Sequence, residues 1–86
     1  MSYRTAQLDA DNRREPKTDT FCVRCHKDFR PGQERRFVRI EDSSFATVVH
    51  PADIASFEAS PAASGDMGSF PVGMDCARKI GIEFTY

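Results

Sequence analysis

The sequence predicts a small α+β domain that folds around a zinc ion, and chain length, cysteine content and hydrophobic patterning all indicate this class. The chain has 86 residues, and a domain of that size buries too little apolar surface to be more than marginally stable unaided. Such chains are commonly stabilised by disulfides, a metal or oligomerisation. The three cysteines leave one thiol unpaired in any disulfide set. A structural zinc site, which supplies folding free energy directly, is therefore the expected stabilising element.

Two β-strands are predicted in the middle of the chain. Residues 34–41 read ERRFVRIE, which is rich in β-favouring side chains, and residues 45–49 read FATVV. Pro31 and Gly32 mark a turn before the first strand, and the EDSS segment at 41–44 marks a reversal between the two. The pattern predicts an antiparallel β-hairpin.

Two short helices and a last strand are predicted after the hairpin. The segment PADIASFEA at 51–59 begins with a proline, which suits the first position of a helix. The segment GMDCARKIG at 73–81 has Asp75 in its first turn, basic residues towards its end and Gly81 where a left-handed cap is favoured. The final IEFTY is predicted as a terminal strand.

Two segments are predicted to be flexible. Residues 1–20 hold few large apolar side chains and mix both signs of charge, so we expect an N-terminal arm before a zinc-binding domain at 21–86. Residues 60–71, SPAASGDMGSFP, are rich in small residues and predict a mobile loop within the domain.

The cysteines have the spacing of a zinc site. Cys22 and Cys25 form a C-x-x-C motif, whose short turn directs two thiolates towards one tetrahedral ion. Cys76 lies at the predicted start of a helix, where free N–H groups and the helix dipole stabilise a thiolate. His50, at the end of the second predicted strand, is the expected fourth ligand.

Other ligand sets are open at this point. His26 directly follows Cys25 and would have to turn back towards the same ion. Asp53 follows His50 at H-x-x-D spacing, so a LIM-like site of Cys22, Cys25, His50 and Asp53 without Cys76 is an alternative. A further alternative is that the three cysteines are small buried core residues that bind no metal, because free cysteine is among the most buried residue types.

Three pieces of the chain resemble the divergent treble-clef zinc-finger proteins of bacteria and phages: CVRC at 22–25, VVHPAD at 48–53 and VGMDCARKIG at 72–81. The resemblance implies a zinc knuckle, a β-hairpin and a short C-terminal helix whose first turn supplies a ligand. It departs from the usual pattern because His50 and Cys76 are far apart, whereas treble-clef modules place the third and fourth ligands near one helix.

Charge is unevenly distributed along the chain. Residues 22–40 contain six basic residues against two acidic ones, whereas residues 41–76 contain six acidic residues and no Lys or Arg. This distribution predicts a basic and an acidic face. The basic residues, with Phe29 and Phe37 available for base stacking, are a candidate surface for DNA or RNA: Arg24, Lys27, Arg30, Arg35, Arg36 and Arg39.

The sequence favours a binding or regulatory module over an enzyme. It contains no H-E-x-x-H or H-x-E motif and no thioredoxin-like context for a redox C-x-x-C. We expect an unidentified protein partner, with nucleic acid as the alternative. The apolar side chains that would contact such a partner are Ile54, Phe57, Met67 and Phe70, with a place in the core as the alternative for the same residues. No segment has the roughly 20 apolar residues of a membrane span, and nothing at the N-terminus resembles a signal peptide, so the expected location is cytoplasmic.

Overall fold

The computed structural model describes residues 3–10, 15–42 and 45–86, and it is a small α+β fold built on one antiparallel sheet. Four strands lie in the order β1-β3-β2-β4. Their bounds are Thr5–Gln7 (β1), Arg35–Glu41 (β2), Thr47–Val49 (β3) and Asp66–Gly73 (β4). Two α-helices, Ile54–Glu58 (α1) and Met74–Ile80 (α2), follow β3 and β4 respectively, and single 3-10 turns occupy Pro51–Asp53, Pro61–Gly65 and Ile82–Phe84.

The predicted β-hairpin is confirmed as β2 and β3. Its register pairs Arg39 with Val49 and Ile40 with Val48, so alternate side chains of β2 point to opposite faces of the sheet. Val38 and Ile40 are buried on one of these faces. The serines of the predicted reversal, Ser43 and Ser44, lie outside the described residues.

The predicted mobile loop at 60–71 is wrong for most of its length, because Pro61–Gly65 forms a 3-10 turn and residues 66–71 belong to β4. This strand pairs with β2 from Arg35 opposite Gly73 to Ile40 opposite Gly68, and after a shift of register Glu41 lies opposite Asp66. Pro71, which has no N–H to donate, lies opposite Phe37. The N–H and C=O of Phe37 instead bond the backbone of Tyr86, at 2.7 and 2.9 Å. A proline is therefore tolerated here without loss of a sheet hydrogen bond.

The predicted N-terminal arm is also partly wrong. Thr5–Gln7 pairs with β3 as an edge strand, and Leu8 is buried in the core with an exposed fraction of 4%. The few apolar residues of this segment are thus enough to anchor it, because the sheet already presents an open edge and an apolar face. The rest of the predicted arm at residues 1, 2 and 11–14 lies outside the described residues.

The two faces of the sheet are covered differently. On one face, Leu8 and the inward side chains of β2, β3 and β4 pack with Cys22, Cys76 and Ala77 into the main core. Phe57 of α1 is fully buried beside Tyr3, with ring centroids 5.3 Å apart, and Arg39 lies over its ring. Phe57 is therefore a core residue, which is the second of the two roles that the sequence left open for it, and it is not part of an exposed interface.

The chain ends in a 3-10 turn rather than in the predicted terminal strand. After α2, the backbone reverses at Gly81, whose φ of 117° is in the region that favours glycine. Ile82–Phe84 follows, and only Tyr86 returns to pair with the backbone of β2. No helix among the described residues is long and apolar enough to cross a membrane.

Arg39 draws together acidic residues that are distant in sequence. Its guanidinium bonds Asp66 on β4, with Nε to Oδ1 at 2.8 Å, and Glu58 on α1 at 2.7 Å. Asp53, just before α1, pairs in the same way with Arg4 at 2.8 Å. The acidic segment is thus interleaved with basic residues, so the predicted separation into a basic and an acidic face is not seen here.

Leu8→Ala should destabilise the protein by about 2 to 4 kcal/mol, because it leaves a cavity in the main core. Phe45→Ala is the control, since Phe45 is 58% exposed and its replacement should change the free energy of unfolding by less than about 0.5 kcal/mol. Urea denaturation of the metal-loaded protein measures both. Equal stability of Leu8→Ala and the wild type would show that residues 3–10 are not anchored.

Acid should weaken the ion pair between Arg39 and Asp66. The hydrogen-bonded guanidinium lowers the pKa of Asp66 from an ordinary 3.8 to about 2. A lowered folded-state pKa stabilises the fold above the unfolded-state value, so this contribution should be complete above about pH 4 and disappear as the pH falls towards about 2. Asp66→Asn should remove it, at a cost on the order of 1 kcal/mol at neutral pH. Unfolding free energies of both proteins between pH 2 and 6 test this, and parallel curves would contradict it.

Candidate metal centre

A tight reversal of the backbone brings Cys22 and Cys25 together. The N–H of His26 donates to the carbonyl of Cys22 at 2.8 Å, and the N–H of Cys22 donates to the carbonyl of Lys27 at 3.0 Å. His26 takes a φ of 63°, a left-handed conformation in which histidine is found more often than most residues. This turn at residues 22–27, here called the knuckle, therefore brings the two cysteines together, as the C-x-x-C motif predicted.

Cys76 reaches the knuckle from the first turn of α2. It is the third residue of that helix, which follows β4 directly. The end of β4 is fixed to the knuckle in two places: the N–H of Val23 donates to the carbonyl of Pro71 at 3.0 Å, and the N–H of Gly73 donates to the Cys22 sulfur at 3.4 Å. The pairing of β4 with β2 thus places a cysteine that is 51 residues beyond the knuckle.

The three sulfur atoms form one cluster. The Sγ atoms of Cys22, Cys25 and Cys76 all lie within 4.8 Å of one another, and all three cysteines are free thiols. Sulfur ligands at about 2.3 Å from a tetrahedral zinc ion are separated by roughly 3.8 Å, so small side-chain adjustments would suit the cluster to that ion. Cys22 and Cys76 are buried, whereas Cys25 is half-buried. These three predicted ligands are therefore brought together.

The surroundings of the thiols bias their protonation. Burial raises the pKa of Cys76 to about 11. Burial also acts to raise the pKa of Cys22, but backbone N–H groups of Gly73, Cys25 and Arg24 outweigh it and lower that pKa. Three adjacent thiolates repel one another, and a divalent cation at their centre removes this repulsion. The donor set therefore fits a thiophilic ion such as zinc.

Arg24, which lies between the two knuckle cysteines in sequence, is the functional residue whose role the sequence did not reveal. Its Nη1 lies 3.6 Å from the Cys76 sulfur, and its side chain is only 14% exposed. Its Nη2 is 3.7 Å from Asp9, and its buried Nε has no hydrogen-bond partner among the described residues. A buried cation at this position would offset the negative charge of a divalent metal held by three thiolates. The position of Arg24 inside the C-x-x-C motif is the one feature of the sequence that could have indicated that it lies beside the sulfur cluster.

The structure does not bring His50, the expected fourth ligand, into the cluster. His50 Nδ1 accepts a hydrogen bond from Ala52 N at 3.1 Å and so caps the turn that precedes α1. Its ring packs edge-on against Phe84, with centroids 5.1 Å apart. The Pro51 turn explains this placement, because a histidine before a helical turn finds a local N–H to bond.

The other candidate ligands also lie outside the cluster. The carboxylate of Asp53 is held by the backbone and side chain of Arg4, so the LIM-like set is not assembled. The ring of His26 packs edge-on against Phe21 at 5.5 Å. Among the described residues, the group of three cysteines is the sole cluster of this kind.

Most of the predicted nucleic-acid-binding side chains are engaged within the chain. Arg36 bonds the hydroxyl and the carbonyl of Thr85, and Arg39 bonds Asp66 and Glu58. Arg35 stacks over the Phe29 ring at 4.4 Å. Lys27 and Arg30 are exposed. The six basic residues are thus divided among the metal cluster, the sheet and the surface.

A small cavity opens onto the sulfur cluster. Its volume is about 90 Å³, and all three cysteines line it. Phe29 and Met74 supply apolar walls, while Lys27, Gln33 and Asp75 supply polar ones. The cluster is therefore buried on the core side and reachable from solvent on the other.

Replacing Cys22, Cys25 or Cys76 by Ser should abolish stoichiometric zinc binding, because a hydroxyl is a far weaker zinc ligand than a thiolate. His50→Ala and Asp53→Ala should retain one zinc per chain and lose only local stability. Metal analysis after gel filtration measures the stoichiometry. Retention of zinc by Cys76→Ser, together with its loss in Asp53→Ala, would instead restore the LIM-like set.

Arg24→Gln should weaken zinc binding by about 10- to 100-fold, the usual effect of losing a group that supports metal ligands. The zinc affinity of Arg24→Lys should lie between those of Arg24→Gln and the wild type, since lysine keeps the charge but not the geometry of the guanidinium. Arg30→Gln is a matched control on an exposed arginine. Competition with a chromophoric chelator gives the three Kd values, and equal affinities would contradict the role of Arg24.

No protein-family model, curated protein or solved structure matches the chain. The knuckle, the antiparallel strands and the helix that carries a cysteine in its first turn occur in the order that the treble-clef resemblance implied. That family assignment itself stays a prediction.

Proposed function

We propose that the protein is a small, non-enzymatic zinc-binding module of treble-clef type, in which the metal is structural and the surface binds a protein partner. The observation that carries the proposal is the cluster of three cysteine sulfurs. A zinc ion there would join the knuckle to α2 and hold β4 between them. A buried thiolate centre of this kind is suited to a reducing compartment such as the cytoplasm.

A structural role is supported by the position of the cluster within the core. Cys22, Cys76 and the adjoining Ala77 pack directly against Val38 and Val72. Metal binding would thus release the protons of the thiols and form metal–sulfur bonds at one end of the main core. The two histidines, which an enzyme could use as a general base, pack edge-on against aromatic rings and are not part of the group that the three sulfurs form. These features favour a scaffold over a catalytic centre.

A protein partner is favoured over nucleic acid by the side chains left at the surface. Phe37 and Tyr86 stack on each other, with ring centroids 6.4 Å apart, and are 41% and 44% exposed. Exposed aromatic residues of this kind often anchor protein interfaces. Arg36 and Arg39, which would track a phosphate backbone, are held by Thr85 and by carboxylates. Binding of these arginines to phosphate groups would require those contacts to break.

Removing the metal should unfold the protein. A chelator that strips one zinc per chain should abolish the far-ultraviolet circular dichroism of the fold and the cooperative thermal transition, because the remaining core is too small to offset the conformational entropy of ordering. Adding zinc back should restore both. An unchanged spectrum at a demonstrated zero zinc content would show that the cysteines are only small core residues.

Phe37→Ser should weaken partner binding by at least about tenfold, since it removes a central aromatic contact. Phe45→Ser, at another exposed phenylalanine, should leave binding unchanged. Once a partner has been identified by crosslinking in cells, titration calorimetry of the three zinc-loaded proteins measures the effect. Retention of DNA or RNA in a low-salt shift assay, lost in Arg35→Ala/Arg36→Ala/Arg39→Ala, would favour nucleic acid instead.

A further inference from the structure

The cysteine cluster offers three donors, whereas a tetrahedral zinc ion takes four ligands. Within residues 3–10, 15–42 and 45–86, no histidine or carboxylate joins the three sulfurs in one group. The nearest sequence candidates have other roles: His50 caps a turn, and Asp53 binds Arg4. The described part of the chain thus holds the ion by three thiolates and leaves its fourth ligand to another source.

The cavity over the cluster provides access for such a ligand. Its volume of about 90 Å³ is well above the roughly 10 to 15 Å³ that one water molecule requires, so a molecule of a few heavy atoms fits. The thioether of Met74 and the ring of Phe29 give it walls that suit a soft, partly apolar ligand. Water and small molecules can therefore reach the side of the cluster that faces away from the core.

The charges around the cavity favour an anionic ligand. Zinc with three thiolates carries one negative charge, and a fourth thiolate would make it two. Arg24 lies 3.6 Å from the Cys76 sulfur, and Lys27 lines the cavity. Asp75 also lines it, but that carboxylate pairs with Arg78 at 3.1 Å. Arg24 also lies 3.7 Å from Asp9, but that carboxylate is 82% exposed and its charge is screened by solvent. The buried guanidinium of Arg24 and the ammonium of Lys27 thus place positive charge beside the cluster, which favours an anionic fourth ligand.

We propose that the fourth coordination position of this zinc takes an exchangeable small thiol, which enters through the cavity. The inference rests on the proposed zinc centre and identifies the class of ligand that the centre accepts. In the exchange, the thiol gives its proton to solvent, a zinc–sulfur bond forms and the zinc–oxygen bond of a water ligand breaks. No oxidant or reductant takes part.

Cobalt-substituted protein, prepared with a phosphine reductant instead of a thiol, tests the proposal. Titration with 2-mercaptoethanol should raise the sulfur-to-cobalt charge-transfer absorption in a saturable way, because a fourth thiolate joins the ion. Lys27→Gln should raise the thiol concentration at half-saturation several-fold, while Arg30→Gln should leave it unchanged. Met74→Trp, which fills the cavity, should keep the cobalt and suppress the response.

Two results would overturn the inference while leaving the zinc centre in place. One is cobalt binding with a spectrum that does not respond to the thiol. The other is a spectrum that changes in His50→Ala, His26→Ala or Asp75→Asn before any thiol is added, which would identify a fourth ligand within the chain. Absence of stoichiometric cobalt and zinc binding would instead overturn the proposed function and the inference together.

Discussion

The convergence of three sulfur atoms from two distant segments is the constraint on which the rest of the structure depends. Cys22 and Cys25 belong to one short turn, whereas Cys76 follows the four strands and α1 in the sequence. A metal bound by all three would close a loop of about 50 residues, and the entropic advantage of closing a loop grows with its length. In an 86-residue chain with a modest core, such a closure would contribute much of the cooperativity of folding.

The opposite face of the sheet is stabilised without the metal. There Phe57 is fully buried, and Arg39 lies over its ring while it bonds Glu58 and Asp66. The guanidinium is planar and presents several donors, so one side chain joins α1, β2 and β4. Because the two faces use different chemistry, loss of the metal and loss of this ion-pair network should affect different parts of the molecule first.

Local patterning made the hairpin, the helices and the three cysteine ligands predictable. Val38 and Ile40 alternate with polar residues, and Gly81 marks a helix end. The sequence did not indicate β4, because Gly, Ser and Pro normally signal a loop. Only long-range pairing explains this strand: Tyr86 satisfies the backbone of Phe37, so Pro71 can lie opposite it. The N-terminal strand was missed for the same reason, since its stability comes from the edge of β3 and from the pocket that receives Leu8.

His50 illustrates why a plausible ligand can be misassigned from sequence. An imidazole accepts hydrogen bonds from backbone N–H groups, and the turn at Pro51–Asp53 provides one immediately after it. Cysteine sulfur is a poor hydrogen-bond partner, so buried cysteines have few competing contacts and their clustering is more diagnostic of a metal. Asp53 behaves like His50 in this respect, because its carboxylate accepts a hydrogen bond from Arg4. In a small domain with few histidines, the nitrogen and oxygen donors are thus used by turns and ion pairs, and the three thiols are left to form the cluster. A metal bound there would have only sulfur donors from the described residues, and such a donor set favours a thiophilic ion.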